Sequence, residues 1–267
     1  MKVYVSHDVD HLTIKEHLKD LVLPKYVILS LLELAKGLIS LKTLGHKLKA
    51  LCNNDGWNNL EELLEFNKRH GVKATVFIAT RKGSKGLNYD LREAAEAFRK
   101  AQEKGFEVGV HGIAYEQRRL MEEELERARR ITGKRRLGLR THYLRQDEHT
   151  KKKAADIGYA YDATTYDATG STRKGRIPLH PINLMDTYLF SPLKGSLTLE
   201  AAKRKTRARL RALEQEGEAH ILLHQRHFNK RQFPRYHDWY VWLVKYCKKK
   251  GYTFPAYGGK EDSFGES

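Results

Sequence analysis

The stretch Val3-Tyr4-Val5-Ser6-His7-Asp8-Val9-Asp10-His11 decides how the rest of the chain is read. Its first half alternates in the manner of a strand over Val3–Ser6, and its second half gathers two acids and two histidines at the strand's carboxyl end. In extended chain, side chains i and i+2 share a face, so Asp8 and Asp10 project into one pocket. Like charges that close repel, and a divalent cation between them relieves the repulsion. One carboxylate can then hold a metal while the other acts as general base toward an activated water. A pair of loop caps is an equally open reading of the same two residues.

Working outward, strand-like and helix-like segments alternate. Ala74–Ala79 is a short β-branched run between Gly71 and Gly83. Phe106–Val110, Leu137–Leu139, Tyr159–Ala163, Ile182–Phe190, His220–His224 and Tyr252–Phe254 also read as extended. Helical spacing covers Tyr26–Ala50, Trp57–His70, Asp90–Lys104, Glu116–Thr132, Asp147–Ile157, Leu199–Gln215 and His237–Lys250, several of them closed by glycine. This order implies a parallel sheet with crossover helices, and six to eight units point to a barrel. Functional groups of such barrels collect at the carboxyl ends of the strands. They do so here: His111-Gly112, Arg140-Thr141-His142-Tyr143 and His224 each follow a strand. Burying such groups costs several kcal/mol unless they are paired or bound to metal.

Composition sets the outer bounds. The chain has 267 residues, 40% hydrophobic and 31% charged, with 6 prolines, which excludes a disordered or collagen-like protein. Cys52 and Cys247 are too few for a disulfide scaffold and read as free thiols in a reducing compartment. The net charge of +17 favours an anionic partner or a merely charge-rich surface. No signal peptide precedes the first strand. The most apolar stretch, Tyr26–Leu41, falls short of the ~20 residues a spanning helix needs, so the cytoplasm is the expected location.

The ordered motifs His7–His11, Val110–Gly112, Arg140–Leu144, Tyr161–Thr164, Pro178 through Phe190 and Leu222–His224 resemble the polysaccharide deacetylase superfamily, also called the NodB-homology or carbohydrate esterase 4 family. Within it they look like a subgroup that opens with HDVDH. The resemblance spans about residues 3–255. It implies a distorted (β/α)7 barrel over residues 1–257, with a helical insertion near 24–52 and a flexible tail at 258–267. It further implies a hydrolase that removes an N-acetyl group from an amino sugar with one divalent metal, usually zinc. Carried over by position, Asp8 matches the general base and Asp10 the aspartate ligand. His111 matches the first histidine ligand and Arg140 the arginine that orients the base. Tyr143 matches the residue whose backbone N–H holds the oxyanion, and His224 the general acid.

This sequence departs from the family at three points. Tyr115 stands where a second histidine ligand is usual, His142 replaces the proline of the arginine motif, and no glycine follows the paired aspartates. Catalytic zinc typically keeps three protein ligands, and His142, two residues after Arg140 at a strand end, is the candidate third. His7 and His11 are rival candidates. A barrel that binds a glycan without metal, or cleaves another amide, is the second reading. A nucleic-acid-binding protein using the basic helix around Lys203–Arg211 is the third, though no recognition motif accompanies it. A cytoplasmic location fits a saccharide that is anionic or lipid-linked. Tyr26–Ala50 carries more apolar positions than one core stripe needs, with Lys36, Lys42, Lys47 and Lys49. It is expected either to pack over the barrel or to form a rim toward an anionic membrane. Asp186 reads as a strand-end cap, Asp162 as a hydrogen-bond partner of a loop backbone or of substrate, and His180 as a loop histidine or a groove residue.

Overall fold

A computed structural model describes residues 1–53, 56–83, 87–167 and 176–259 of the chain. Six strands form one parallel sheet: β1 (Lys2–Val9), β2 (Thr75–Ile78), β3 (Glu107–Gly112), β4 (Leu139–Thr141), β5 (Leu184–Met185) and β6 (Glu218–Leu222). Their order is β4-β3-β2-β1-β6-β5. The open side is closed by single parallel bridges. Asp162 pairs with Leu139 on one side and Leu179 on the other, and Tyr166 pairs with Ile182. Residues 161–166 thus occupy a position between β4 and the run 179–185 that contains β5, and the ring has seven members. It is a distorted (β/α) barrel of the NodB type. Part of the distortion is side-chain substitution for ladder bonds. Thr141 N–H donates to the Thr164 hydroxyl at 3.1 Å, and Thr164 N–H donates to the Asp162 carboxylate at 2.8 Å.

The pleat of β1 sorts its residues by period two. His7 faces the helical layer, where its Nδ1–H donates to the Leu223 carbonyl and its Nε2 accepts from Asn67 Nδ2 at 2.8 Å. Burial lowers its pKa to about 4, so it stays a neutral core histidine. Ser6 and Asp8 face the barrel interior, where Arg140 meets both. Two glycines make room for large rings there. A Cβ on Gly109 would lie 2.6 Å from the Phe77 ring, and one on Gly138 would overlap Tyr161. The amino-terminal end is filled by a stack of Tyr4, His180, His220 and Tyr257. His180 is therefore a barrel-floor residue and does not line a groove.

The helices wrap the ring: α1 (Val22–Ala35), α2 (Leu41–Asn53), α3 (Leu60–His70), α4 (Leu91–Glu103), α5 (Arg118–Thr132), α6 (Thr150–Ile157), α7 (Asp186–Phe190), α8 (Leu199–Ala212) and α9 (Pro234–Lys249). Starts and stops follow local chemistry. Asp90 and Glu93 form a capping box on α4, and Gly71 and Gly133 close α3 and α5 in left-handed conformation.

Three segments differ from their sequence reading. Tyr26–Ala50 is two helices rather than one, because the chain leaves the helical path at Gly37, with φ +65°. The buried Glu33 then joins the pair to the barrel, accepting from Lys47 of α2 at 2.5 Å and Arg235 of α9 at 2.7 Å. Ile182–Phe190 is extended only to Met185, and Asp186–Phe190 is a helical turn. Tyr252–Phe254 is no full strand; Thr253 bridges Lys2, and Phe254 O accepts from Lys73 N–H. Of the expected tail, Gly258 is anchored by its N–H to Glu107, and 260–267 lie outside the described residues, as does the expected polar loop 170–175. Among the described residues no helix is long and apolar enough to cross a membrane.

Candidate active site

A cavity of about 330 Å³ opens at the carboxyl ends of the strands and is lined by Asp8, Asp10, His111, His142 and His224. Asp8 reaches it from β1. Arg140, buried on β4, donates from Nη1 to Asp8 Oδ1 at 3.1 Å and from Nη2 to Ser6 Oγ at 3.0 Å. The guanidinium lies 4.6 Å above the Phe77 ring, so a charge pair, a hydroxyl and an aromatic face fix its plane together.

Asp10, His111 and His142 converge two residues further along. His111 Nδ1–H donates to the Arg140 carbonyl at 3.0 Å, which leaves Nε2 facing Asp10 Oδ1 at 3.1 Å. His142 Nε2 lies 3.9 Å from the same oxygen. All three donor atoms fall within 4.8 Å of one another. A neutral imidazole so anchored presents a lone pair to a carboxylate lone pair, and the two need a cation: a proton or a metal. Burial alone would lower the His111 pKa, yet the Asp8 charge and the Asp10 hydrogen bond and charge raise it. Burial would push Asp10 up, but the hydrogen bond from His111 and the nearby His142 and His224 hold it well below the ordinary carboxylate range. Burial lowers His142 to about 4, which keeps its nitrogen unprotonated. Ligands about 2.0–2.1 Å from a tetrahedral ion stand about 3.4 Å apart, a spacing the 3.1 and 3.9 Å separations bracket. One carboxylate and two imidazoles with a free approach from the cavity fit a catalytic divalent metal.

His224 completes the ring of groups. Its Nε2 is 3.7 Å from Asp10 Oδ2, and its Nδ1–H donates to Asp186 Oδ1 at 2.7 Å. The Asp186 carboxylate also accepts from the His224 backbone N–H at 3.0 Å, from His227 Nδ1 at 2.6 Å and from Thr187 N–H at 2.6 Å. Burial opposes the charged imidazole, but the charge and hydrogen bond of Asp186 outweigh it and raise His224 to about 10. Asp186 itself is held far below the ordinary range by the two histidines, against the effect of burial. His227 shares the carboxylate, yet burial dominates there and its pKa is lowered.

Asp186 and His227 escaped the sequence reading. Asp186 does more than cap a strand end; it is the buried partner of His224. Its signal was available, since it follows β5 directly, as His224 follows β6. The other placements separate cleanly. Tyr143 lines the cavity mouth with its ring stacked on His142 at 4.1 Å, and it and Leu144 hold left-handed backbone, φ 57° and 55°. Tyr115 turns away and donates to Glu116 at 2.8 Å. His11 lines the cavity, but its Nδ1 meets His17 at 2.8 Å, and His17 is in turn bound to Asp20 at 2.9 Å. His7 points out of the barrel, as described above.

The fold is a distorted barrel whose polar side chains gather at the carboxyl ends of its strands. The family model for polysaccharide deacetylases matches residues 42–161, a little under half of the chain. No curated protein matches the sequence. Among solved structures, one described as a candidate polysaccharide deacetylase from Mycobacterium smegmatis is 18% identical. It aligns over 95% of this chain and 86% of its own with a TM-score of 0.60, a likeness of fold. The polysaccharide deacetylase Bc1974 from Bacillus cereus is 17% identical over 99% of this chain and 95% of its own, with a TM-score of 0.49.

Proposed function

We propose that the chain is a metal-dependent amidohydrolase that removes the N-acetyl group from an amino sugar of a glycan or glycan precursor. The observation that carries this reading is the convergence of Asp8–Arg140, Asp10–His111–His142 and His224–Asp186 on one cavity. Asp10, His111 and His142 would hold a divalent ion, zinc by its donor preference, which supplies a Lewis acid for the acetyl carbonyl and lowers the pKa of water. Asp8 accepts the proton of the attacking water, and Arg140 holds that carboxylate toward the cavity. Tyr143 contributes its backbone N–H to the developing oxyanion. His224, charged at neutral pH through Asp186, donates a proton to the nitrogen as the C–N bond breaks. Water adds to the carbonyl carbon, and acetate and a free amine leave.

The same cavity suits a substrate with more than a neutral sugar. Lys25 and Lys194 line it beside Val22, Leu29, Leu144 and Leu193. Two cations next to an apolar wall favour an amino sugar that carries a phosphate or a lipid anchor. The test is acetate release from a panel of N-acetyl sugars, free, nucleotide-linked and lipid-linked, with and without zinc, cobalt or nickel. Release that requires metal supports the reading. A protein that binds no metal and releases no acetate from any of them refutes it and leaves a metal-free binding barrel.

A further inference from the structure

Helix α1 is apolar nearly all round, yet the positions it buries fully are polar ones. Its buried positions are Tyr26, Ser30 and Glu33, all bearing polar groups. Each of these is partnered: Tyr26 donates to Gln232 at 3.0 Å, Ser30 to the Tyr26 carbonyl at 2.7 Å, and Glu33 takes Lys47 and Arg235. The outward face, from the N-cap on, is Leu21, Pro24, Ile28, Leu31 and Ala35, spaced three and four apart and all exposed. Leu21 is 80% exposed, Ile28 58% and Leu31 49%. Leu18 before the helix and Leu41 after it are exposed as well.

Charge on this segment is equally one-sided. The acids between residues 15 and 53 are Glu16, Asp20 and Glu33, and each is engaged inward: Glu16 by Leu12 N–H, Asp20 by His17 and Asn88, Glu33 as above. Lys15, Lys19, Lys25, Lys42 and Lys49 are exposed, and none forms an ion pair among the described residues. The surface therefore offers apolar side chains and cations with no exposed anion. A second copy of the chain would set lysines against lysines. The headgroup region of an anionic bilayer offers an apolar layer below a negative one.

We propose that the outward face of α1, with its flanking lysines, docks the protein on an anionic lipid bilayer. The same helix borders the cavity. Lys25, exposed on α1, lines the cavity together with Val22 and Leu29, as does Leu193, itself 65% exposed. Docking holds the active-site opening at the lipid surface, within reach of a saccharide attached to lipid.

The test is flotation of the full chain with phosphatidylcholine vesicles and with phosphatidylcholine/phosphatidylglycerol vesicles at low salt. The expected result is flotation with the anionic vesicles only. Ile28→Glu combined with Leu31→Glu should lower partitioning more than about tenfold, since two apolar contacts become two repelled charges. Leu21→Glu, at the most exposed position, should act in the same direction and guards against misfolding of the double variant. Lys205→Glu with Arg211→Glu on α8 should stay within about threefold of the parent, because those charges lie off the docking face. Three results would overturn the proposal. One is a parent chain that does not float. Another is equal loss in the α1 and α8 variants, which would leave net charge as the whole cause. The third is a dimer by light scattering that the α1 variants convert to monomer without any effect on lipid binding. None of these touches metal content or acetate release from soluble sugars, so the docking surface and the catalytic reading fail separately.

Discussion

Replacing Asp186 by Asn tests the acid half of the proposed chemistry, because it removes one charge and changes almost no volume. His224 Nδ1 lies 2.7 Å from Asp186 Oδ1, and the wild-type imidazole is raised to about 10. An opposite charge at such range is worth about 1–3 pKa units. Without it, burial acts against the imidazolium with only Asp10 and Asp8 opposing. The alkaline limb of kcat/KM should therefore move down by about 1–3 pH units. The hydrogen bonding is also worked out by the geometry. Asp186 accepts four N–H groups, two on each oxygen. The Asn amide nitrogen must face two of these donors, so at least one buried N–H loses its acceptor, at about 1–3 kcal/mol of stability. Linkage adds a sign. A folded-state pKa above the unfolded 6.5 gives stability that is complete below pH 6.5 and lost as pH rises through about 10. The variant should show a weaker loss across that window. Rate profiles from pH 5 to 10.5 and thermal melts in the same buffers measure both effects. An alkaline limb that does not move in Asp186→Asn would refute the role given to the Asp186–His224 pair.

Three further outcomes are expected. His142→Ala and His111→Ala should each lower zinc stoichiometry or affinity by at least about tenfold in equilibrium dialysis; full retention by His142→Ala would remove it from the ligand set. Asp8→Asn should reduce turnover by about 10²–10⁴ with metal content unchanged, whereas Asp10→Asn should lose metal, and equal metal loss in both would undo the division of roles. Glu33→Gln should destabilise the chain by about 3–5 kcal/mol, because Lys47 and Arg235 remain buried beside a neutral amide; a melting temperature within about 2 °C of the parent would show that the pairs contribute little.

Local physics made much of this legible from the chain alone. Period-two and period-3.6 patterns mark β1, β2 and β3 and the helices α3, α4 and α5, since side-chain direction repeats with backbone geometry whatever the neighbours are. The same rule places Asp8 on the inner face of β1 and puts His111, Arg140 and His224 at the mouths of their strands. Tertiary structure decided what meets what. Arg140 reaches Asp8 across 132 positions, and His224 reaches Asp186 across 38. Such pairs depend on which strands are neighbours in the closed ring, which no local pattern encodes. The ring itself closes through single bridges at Asp162 and Tyr166, too short to leave a periodic signal. Helix α1 shows the limit most directly. Its sequence is apolar nearly all round, so periodicity cannot choose a buried face. The choice is made by Lys47 and Arg235, which draw Glu33 inward because a buried carboxylate must find its cations, and that leaves Ile28 and Leu31 on the outside.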